Sequence, residues 1–327
     1  MAPPAAYDGI TGARRPRVGL SSLCANMTRA HPAVAARRSI STTGITSVHT
    51  AAEPSASSLA RAALRLVRVP YEYLVLYAAL LYFGVAGVAF TGVSGVLTLL
   101  LPRRIGERVG RHAIGLLFHT YLAMLKASGV LRLDLRALDT LRGEPGVVIA
   151  PNHPCLLDAV LVISRVPQVG CIMKAAIWDN PALGGGARLS GYLRNDSPRT
   201  MVRLAARALR RGESLLVFPE GTRTRGGQLN PFRGGFALIA KQAQAPIQTV
   251  FIETNSPFLR KGWPLLRKPQ FPLDYRARLG RRFRVEGDLH AFMAALEAYY
   301  EEELAQHHGH TPTLAAHAAG VATGGHA

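Results

Sequence analysis

The sequence predicts an α/β fold, a mostly parallel sheet flanked by helices, carried behind an N-terminal membrane helix or re-entrant helical hairpin. Two observations predict it. From Ile105 onward, short apolar runs alternate with segments of helical character, the pattern of a parallel sheet covered by helices. Before that, Tyr73 to Leu101 carries no charged residue and is longer than the roughly 20 residues a spanning helix needs. With 327 residues, 48% of them hydrophobic, the chain has material for one sizeable core.

Residues 1–57 are rich in Ala, Ser, Thr, Pro and Arg, with Asp8 and Glu53 the only acids. So few large apolar side chains do not offset the entropy of ordering, and the stretch reads as a disordered basic tail. Its composition also matches a transit peptide, but nothing else in the sequence points to an organelle. Residues 58–104 are the membrane-associated helical segment. Arg61, Arg65 and Arg68 share one face of a short helix over 58–69, a face that suits lipid phosphates and suits water equally well. Further arginines, Arg103, Arg104, Arg108 and Arg111, follow the uncharged stretch, so the positive-inside rule puts both ends in the cytoplasm. Gly84, Gly87, Gly92 and Gly95 offer a turn in the middle. Each arm of such a hairpin reaches only about 21 Å, too short to span; a re-entrant hairpin and a single span are the two alternatives.

Residues 105–305 form the α/β domain. A helix is expected over 109–128, then a buried strand over Gly146–Ala150, a helix over 154–165 and a strand over Val169–Met173. Ser197 and Pro198 start a helix through 199–211, because Ser caps and Pro suits the first turn. Strands follow at Ser214–Phe218 and Ile247–Ile252, with a helix over 234–243 between them. Residues 276–286 add edge strands, and Asp288 caps a last helix to Ala305. Residues 306–327 are low in complexity, so His307, His308 and His310 read as part of a disordered tail rather than a metal site. Cys24, Cys155 and Cys171 have neither disulfide nor zinc spacing.

Two polar blocks interrupt the apolar pattern directly after strands, where open α/β sheets carry their ligands. The first is Pro151-Asn-His-Pro-Cys-Leu-Leu-Asp158. On one regular helix His153 and Asp158 would diverge by about 140°. Pro154 fits the first helical position, which leaves His153 outside and lets Asp158 reach back to it. A neutral His takes a proton from an alcohol while a carboxylate fixes its tautomer. The second block is Phe218-Pro-Glu-Gly-Thr-Arg223. Gly221 permits a tight turn, Arg223 supplies a planar fork for phosphate, and Glu220 is placed to accept from a substrate hydroxyl or to orient Arg223.

With these blocks the sequence resembles the lysophospholipid and glycerolphosphate acyltransferases over roughly residues 70–285. The family carries an Asn-His-x4-Asp block, an arginine-containing second block, Phe-Pro-Glu-Gly-Thr-Arg and a later Pro-Ile block. Here these are Asn152–Asp158, Gly191–Asp196, Phe218–Arg223 and Ala245–Val250. The resemblance implies O-acyl transfer in phospholipid biosynthesis, with His153 as general base and Asp158 as its orienting partner. It assigns Glu220, Gly221, Thr222 and Arg223, with Asn152 and Arg194, to the acceptor. It also implies acyl-CoA or acyl-acyl carrier protein as donor and no metal or redox cofactor. The setting it implies is the inner membrane, with the catalytic domain facing the cytoplasm.

Three departures bear on the acceptor. Cys155 stands where Ser is common and reads as structural, Ser197 follows Asp196 where Arg is usual, and Thr249 replaces a Pro. Arg194 or Arg199 is available to substitute, or the phosphate grip is weaker. These features also resemble a bacterial subgroup of aryl-polyene-type or specialised lipid assembly, with an acceptor other than lysophosphatidic acid. A non-catalytic lipid-binding descendant would be expected to have lost His153 or Asp158, and both are present. The net charge of +19 calls for an anionic partner. The arginines are scattered without an aromatic platform or DNA-binding motif, so an anionic membrane face explains them better than nucleic acid.

Overall fold

The computed structural model describes residues 56–225 and 228–308. The tails expected over 1–57 and 306–327 lie almost wholly outside them, as does His310. The uncharged stretch forms one continuous helix, α1 (Ala56–Leu100), with Pro70 inside it. The four glycines stay helical, so the re-entrant hairpin does not form. The chain turns instead at Leu101–Pro102, where Pro102 takes an extended ψ of 138°, and α2 (Arg103–Ala127) returns beside α1. Tyr82 Oη donates to the Leu117 carbonyl, and Phe83 stacks on Phe118.

Seven strands follow: β1 (Leu131–Asp134), β2 (Val148–Pro151), β3 (Gly170–Lys174), β4 (Leu193–Asn195), β5 (Leu215–Leu216), β6 (Ile247–Thr254) and β7 (Leu273–Phe283). They form one sheet in the order β1-β7-β6-β2-β5-β3-β4. Every pairing is parallel except β6 with β7. Residues 276–286 were expected at an edge, yet β7 is interior, because the four-residue β1 covers its outer side. β1 and β4 are too short and too mixed in polarity to stand out from the sequence alone. The remaining helices are α3 (Asp158–Arg165), α4 (Ala175–Trp178), α5 (Gly184–Leu189), α6 (Pro198–Arg210), α7 (Gly235–Ala243) and α8 (Leu289–His308).

Side-chain alternation along the strands builds two cores. Ile149 enters one cluster with residues of α2 and α3. Val148 and Ala150 enter a second cluster with α6, α7 and α8. The sheet is therefore covered on both faces, which is why its strands read as continuous apolar runs. Arg111 of α2 is buried and ties the layers together, donating to the Ser190 carbonyl at 2.9 Å and to Glu213 at 2.8 Å.

α1 is held against the domain where three glycines open α5. A Cβ on Gly185 would sit 2.6 Å from Thr91 Cγ2 and 2.9 Å from its carbonyl, and one on Gly186 would meet the Phe90 ring. Thr91 Oγ1 donates to the Ala182 carbonyl at 2.8 Å in the same contact. We expect Gly185→Val to cost about 1–3 kcal/mol by overpacking, read as a lowered unfolding temperature. An unchanged midpoint would mean that α1 is not anchored there.

Candidate active site

β2, β5, β3 and β6 run parallel, so the loops at their carboxyl ends gather on one side of the sheet. β2 delivers His153. The helix expected from Pro154 begins only at Asp158, and residues 154–157 make a non-helical turn. That turn solves the spacing problem in a different way from a Pro-started helix. It places His153 Nδ1 2.8 Å from Asp158 Oδ2. Asp158 also accepts from the Cys155 N–H at 2.8 Å and from the Cys155 thiol at 3.0 Å.

Asp158 is fully buried. Burial pushes its carboxyl up from the usual range, and the hydrogen bond from His153 works in the opposite direction. With the carboxylate on Nδ1, that nitrogen carries the proton and the Nε2 lone pair is left for a substrate. The His153 side chain keeps 15% exposure, enough to be reached. Its ring stacks on Phe218 with centroids 3.8 Å apart. Burial, and then the Asp158 charge, push the Cys155 thiol well above its ordinary value. A protonated, buried thiol is a donor to Asp158 rather than a nucleophile.

The second block holds the first by its main chain. Glu220 is buried and accepts from the His153 N–H at 2.9 Å. It also accepts from Thr224 Oγ1 at 2.9 Å and from the Asn230 N–H at 3.0 Å and Nδ2 at 2.5 Å. Thr224 N–H in turn donates to the His153 carbonyl at 2.7 Å. Glu220, expected to face a substrate hydroxyl or Arg223, is thus saturated by the protein. Gly221 adopts φ +65°, which a side chain would strain, and Thr222 beside it is half-buried. Asn152 is likewise buried, exchanging two hydrogen bonds with the Ile252 main chain at 2.7 and 3.1 Å and extending the β2–β6 ladder.

Arg223 donates to the carbonyls of Leu259 at 2.9 Å and Arg260 at 3.3 Å, both in the loop after β6. Its other guanidinium N–H groups have no protein acceptor among the described residues. Lys261 lies in that loop. Lost solvation, and then the charges of Arg225, Lys174 and Arg223, hold its ammonium below its ordinary value, so these four cations share one neighbourhood. Lys174, the last residue of β3, went unmarked in the sequence. The available signal was a lysine closing an apolar strand at its ligand-bearing end. Lys261 had no such signal. Arg194 does not join them. It sits on edge strand β4, held by Asp179 at 3.1 Å and Asp196 at 3.0 Å. Among the described residues no group of three His, Cys, Asp or Glu side chains is placed to hold a metal ion.

The Acyltransferase family profile matches residues 132–253. The chain is similar to the 1-acyl-sn-glycerol-3-phosphate acyltransferase of Limnanthes douglasii, 31% identical over 51% of this chain and 60% of that protein. It is also similar to the human beta form, 28% identical over 58% of this chain and 66% of that protein. The matched part thus spans less than two thirds of either relative. The crystal structure of the 1-acyl-sn-glycerophosphate (LPA) acyltransferase PlsC from Thermotoga maritima is similar at 20% identity and a TM-score of 0.47, over 73% of this chain and 97% of that one.

Glu220→Ala would leave several buried donors without a partner. We expect it to cost about 1–3 kcal/mol, as leaving buried donors unpaired does, measured by chemical denaturation. A variant as stable as the parent would remove Glu220 from this structural role.

Proposed function

We propose that this chain, whose residues 132–253 match the Acyltransferase family profile, transfers an acyl group from a thioester to the hydroxyl of lysophosphatidic acid. The observation that carries the reading is the His153–Asp158 pair tied to the Arg223–Arg225 segment, through Thr224 N–H at the His153 carbonyl, with Arg223 reaching the Leu259 and Arg260 carbonyls beside Lys261. His153 Nε2 takes the proton from the acceptor hydroxyl as its oxygen attacks the thioester carbonyl. Asp158 holds the Nδ1 proton and stabilises the imidazolium that forms. The tetrahedral adduct collapses, the C–S bond breaks, and the departing thiolate takes the proton back from His153. No enzyme nucleophile is required.

The cation cluster suits a phosphate and fills the role that Arg194, occupied by two acids, does not. It favours a phosphorylated acceptor over the acceptors of specialised lipid assembly. Asn152, Glu220 and Gly221 act by shaping the loops, and Thr222 and Arg223 border the acceptor. The donor is acyl-CoA or acyl-acyl carrier protein, which share the phosphopantetheine thioester, and no metal or redox cofactor takes part.

The membrane is the second partner. Leu64–Leu100 is long and apolar enough to cross a bilayer. α1 nevertheless touches the domain along its length, from Arg68 at the Phe271 carbonyl to Thr91 at Ala182. Its outward stripe, with Leu66, Leu74, Leu81, Val88 and Leu99 all exposed, meets lipid at the inner-membrane surface, with the domain on the cytoplasmic side.

We expect His153→Ala to lower transfer by about 10²- to 10⁴-fold in a chain that still folds cooperatively; a folded variant of full activity would exclude the mechanism. Lys174→Ala is expected to raise the KM for lysophosphatidic acid by roughly 10-fold or more, the worth of one charge-assisted hydrogen bond. The KM for the corresponding monoacylglycerol should not move. An equal change for both acceptors would remove Lys174 from phosphate binding.

A further inference from the structure

The loop between β6 and β7, residues 255–272, carries no acidic residue and four cations, Arg260, Lys261, Arg267 and Lys268. It is built in two layers. Phe258 and Leu259 are buried, the latter at φ +57°, and the Leu259 carbonyl accepts from Arg223 and from the Leu156 N–H at 3.2 Å. Successive turns, Arg260 N–H to Pro257 O at 3.1 Å, Trp263 N–H to Arg260 O and Arg267 N–H to Pro264 O at 3.0 Å, then carry the chain outward. At the tip Leu265 and Leu266 are 51% and 63% exposed. Trp263 packs edge-on against buried Phe258, its indole donating to the Arg267 carbonyl at 3.1 Å and its ring 5.1 Å from the Arg267 guanidinium.

The tip adjoins the apolar helix. Lys268 pairs with Glu72 and lies 5.8 Å over the Tyr73 ring, while Arg68 donates to the Phe271 carbonyl at 3.0 Å. On α1, Leu64, Leu66, Val67 and Leu74 are exposed around this contact. Two bare leucines, an indole and the exposed cations Lys261 and Arg267, continuous with a long apolar stripe, have the chemistry of an interfacial anchor. Leucine enters the acyl region, Trp rests at the headgroups, and Arg and Lys meet anionic phosphates.

We propose that the Pro257–Lys268 loop is a second lipid-seating element, inserting Leu265 and Leu266 into an anionic bilayer. This rests on the membrane contact assigned to α1. Because the same loop binds Arg223 and the Leu156 turn, seating it fixes the cation cluster against the leaflet that supplies the acceptor.

The test uses the full chain with Cys24→Ser, since Cys155 and Cys171 are buried. A single environment-sensitive fluorophore is placed at L265C, L81C or E286C, and vesicles of phosphatidylcholine with phosphatidylglycerol carry brominated acyl chains as quencher. Glu286 is exposed and lies beyond the far end of β7. The proposal expects a blue shift and quenching at 265 and 81, with neither at 286. Quenching at 81 but not at 265 overturns the loop assignment and leaves the α1 reading standing. Quenching at neither position overturns both, and quenching at all three overturns the loop assignment by showing non-specific contact.

Discussion

The site rests on one buried carboxylate. Glu220 sits in the loop after β5 and takes hydrogen bonds from the main chain of His153, the side chain of Thr224 and both nitrogens of Asn230. A charge taken out of water is tolerated only when it is saturated in this way. The saturation stitches together the loops leaving β2 and β5. Because the His153 N–H and carbonyl are both engaged, its ring is left little freedom beyond χ rotation. Phe218 on one face and Asp158 at Nδ1 then remove that. The Asn152 amide performs the matching task on the β6 side.

Charge is partitioned along the same lines. Asp158 and Glu220 are buried and matched to donors, Glu213 is matched to Arg111, and Asp179 and Asp196 are matched to Arg194. These acids are paired within the protein, while Lys174, Arg225 and Lys261 stay exposed at the carboxyl ends of the strands. Exposed cations arranged like this attract an anion to the site. The proposed chemistry needs both, a phosphate to grip and a lipid leaflet to draw it from.

Much of this was legible in the sequence, and the reasons for the rest are physical. β2, β5 and β6 announce themselves because a sheet covered on both faces demands continuous apolar residues. β1 and β4 do not, since a short edge strand needs only a few residues of mixed character. The spacing of His153 and Asp158 signalled a pair, but the structure joins them through a turn rather than a Pro154-started helix. Polar residues in a motif invite assignment to substrate; Asn152 and Glu220 are instead consumed by the scaffold, which only tertiary contacts reveal. The same holds for Lys174, which ends β3, and Lys261, in the loop after β6; they are far apart in sequence and come to one side of the sheet because β3 and β6 run parallel.

In the proposed reaction the His153–Asp158 pair, beside its cations, acylates a phosphorylated lipid hydroxyl. That reaction is tested most directly by presenting the purified protein, in anionic vesicles, with labelled acyl thioester and equal amounts of lysophosphatidic acid and the matching monoacylglycerol. The account predicts labelled phosphatidic acid, with the monoacylglycerol left largely unreacted. Transfer to both acceptors at equal rates, or to neither by folded protein supplied with both thioester carriers, would contradict it.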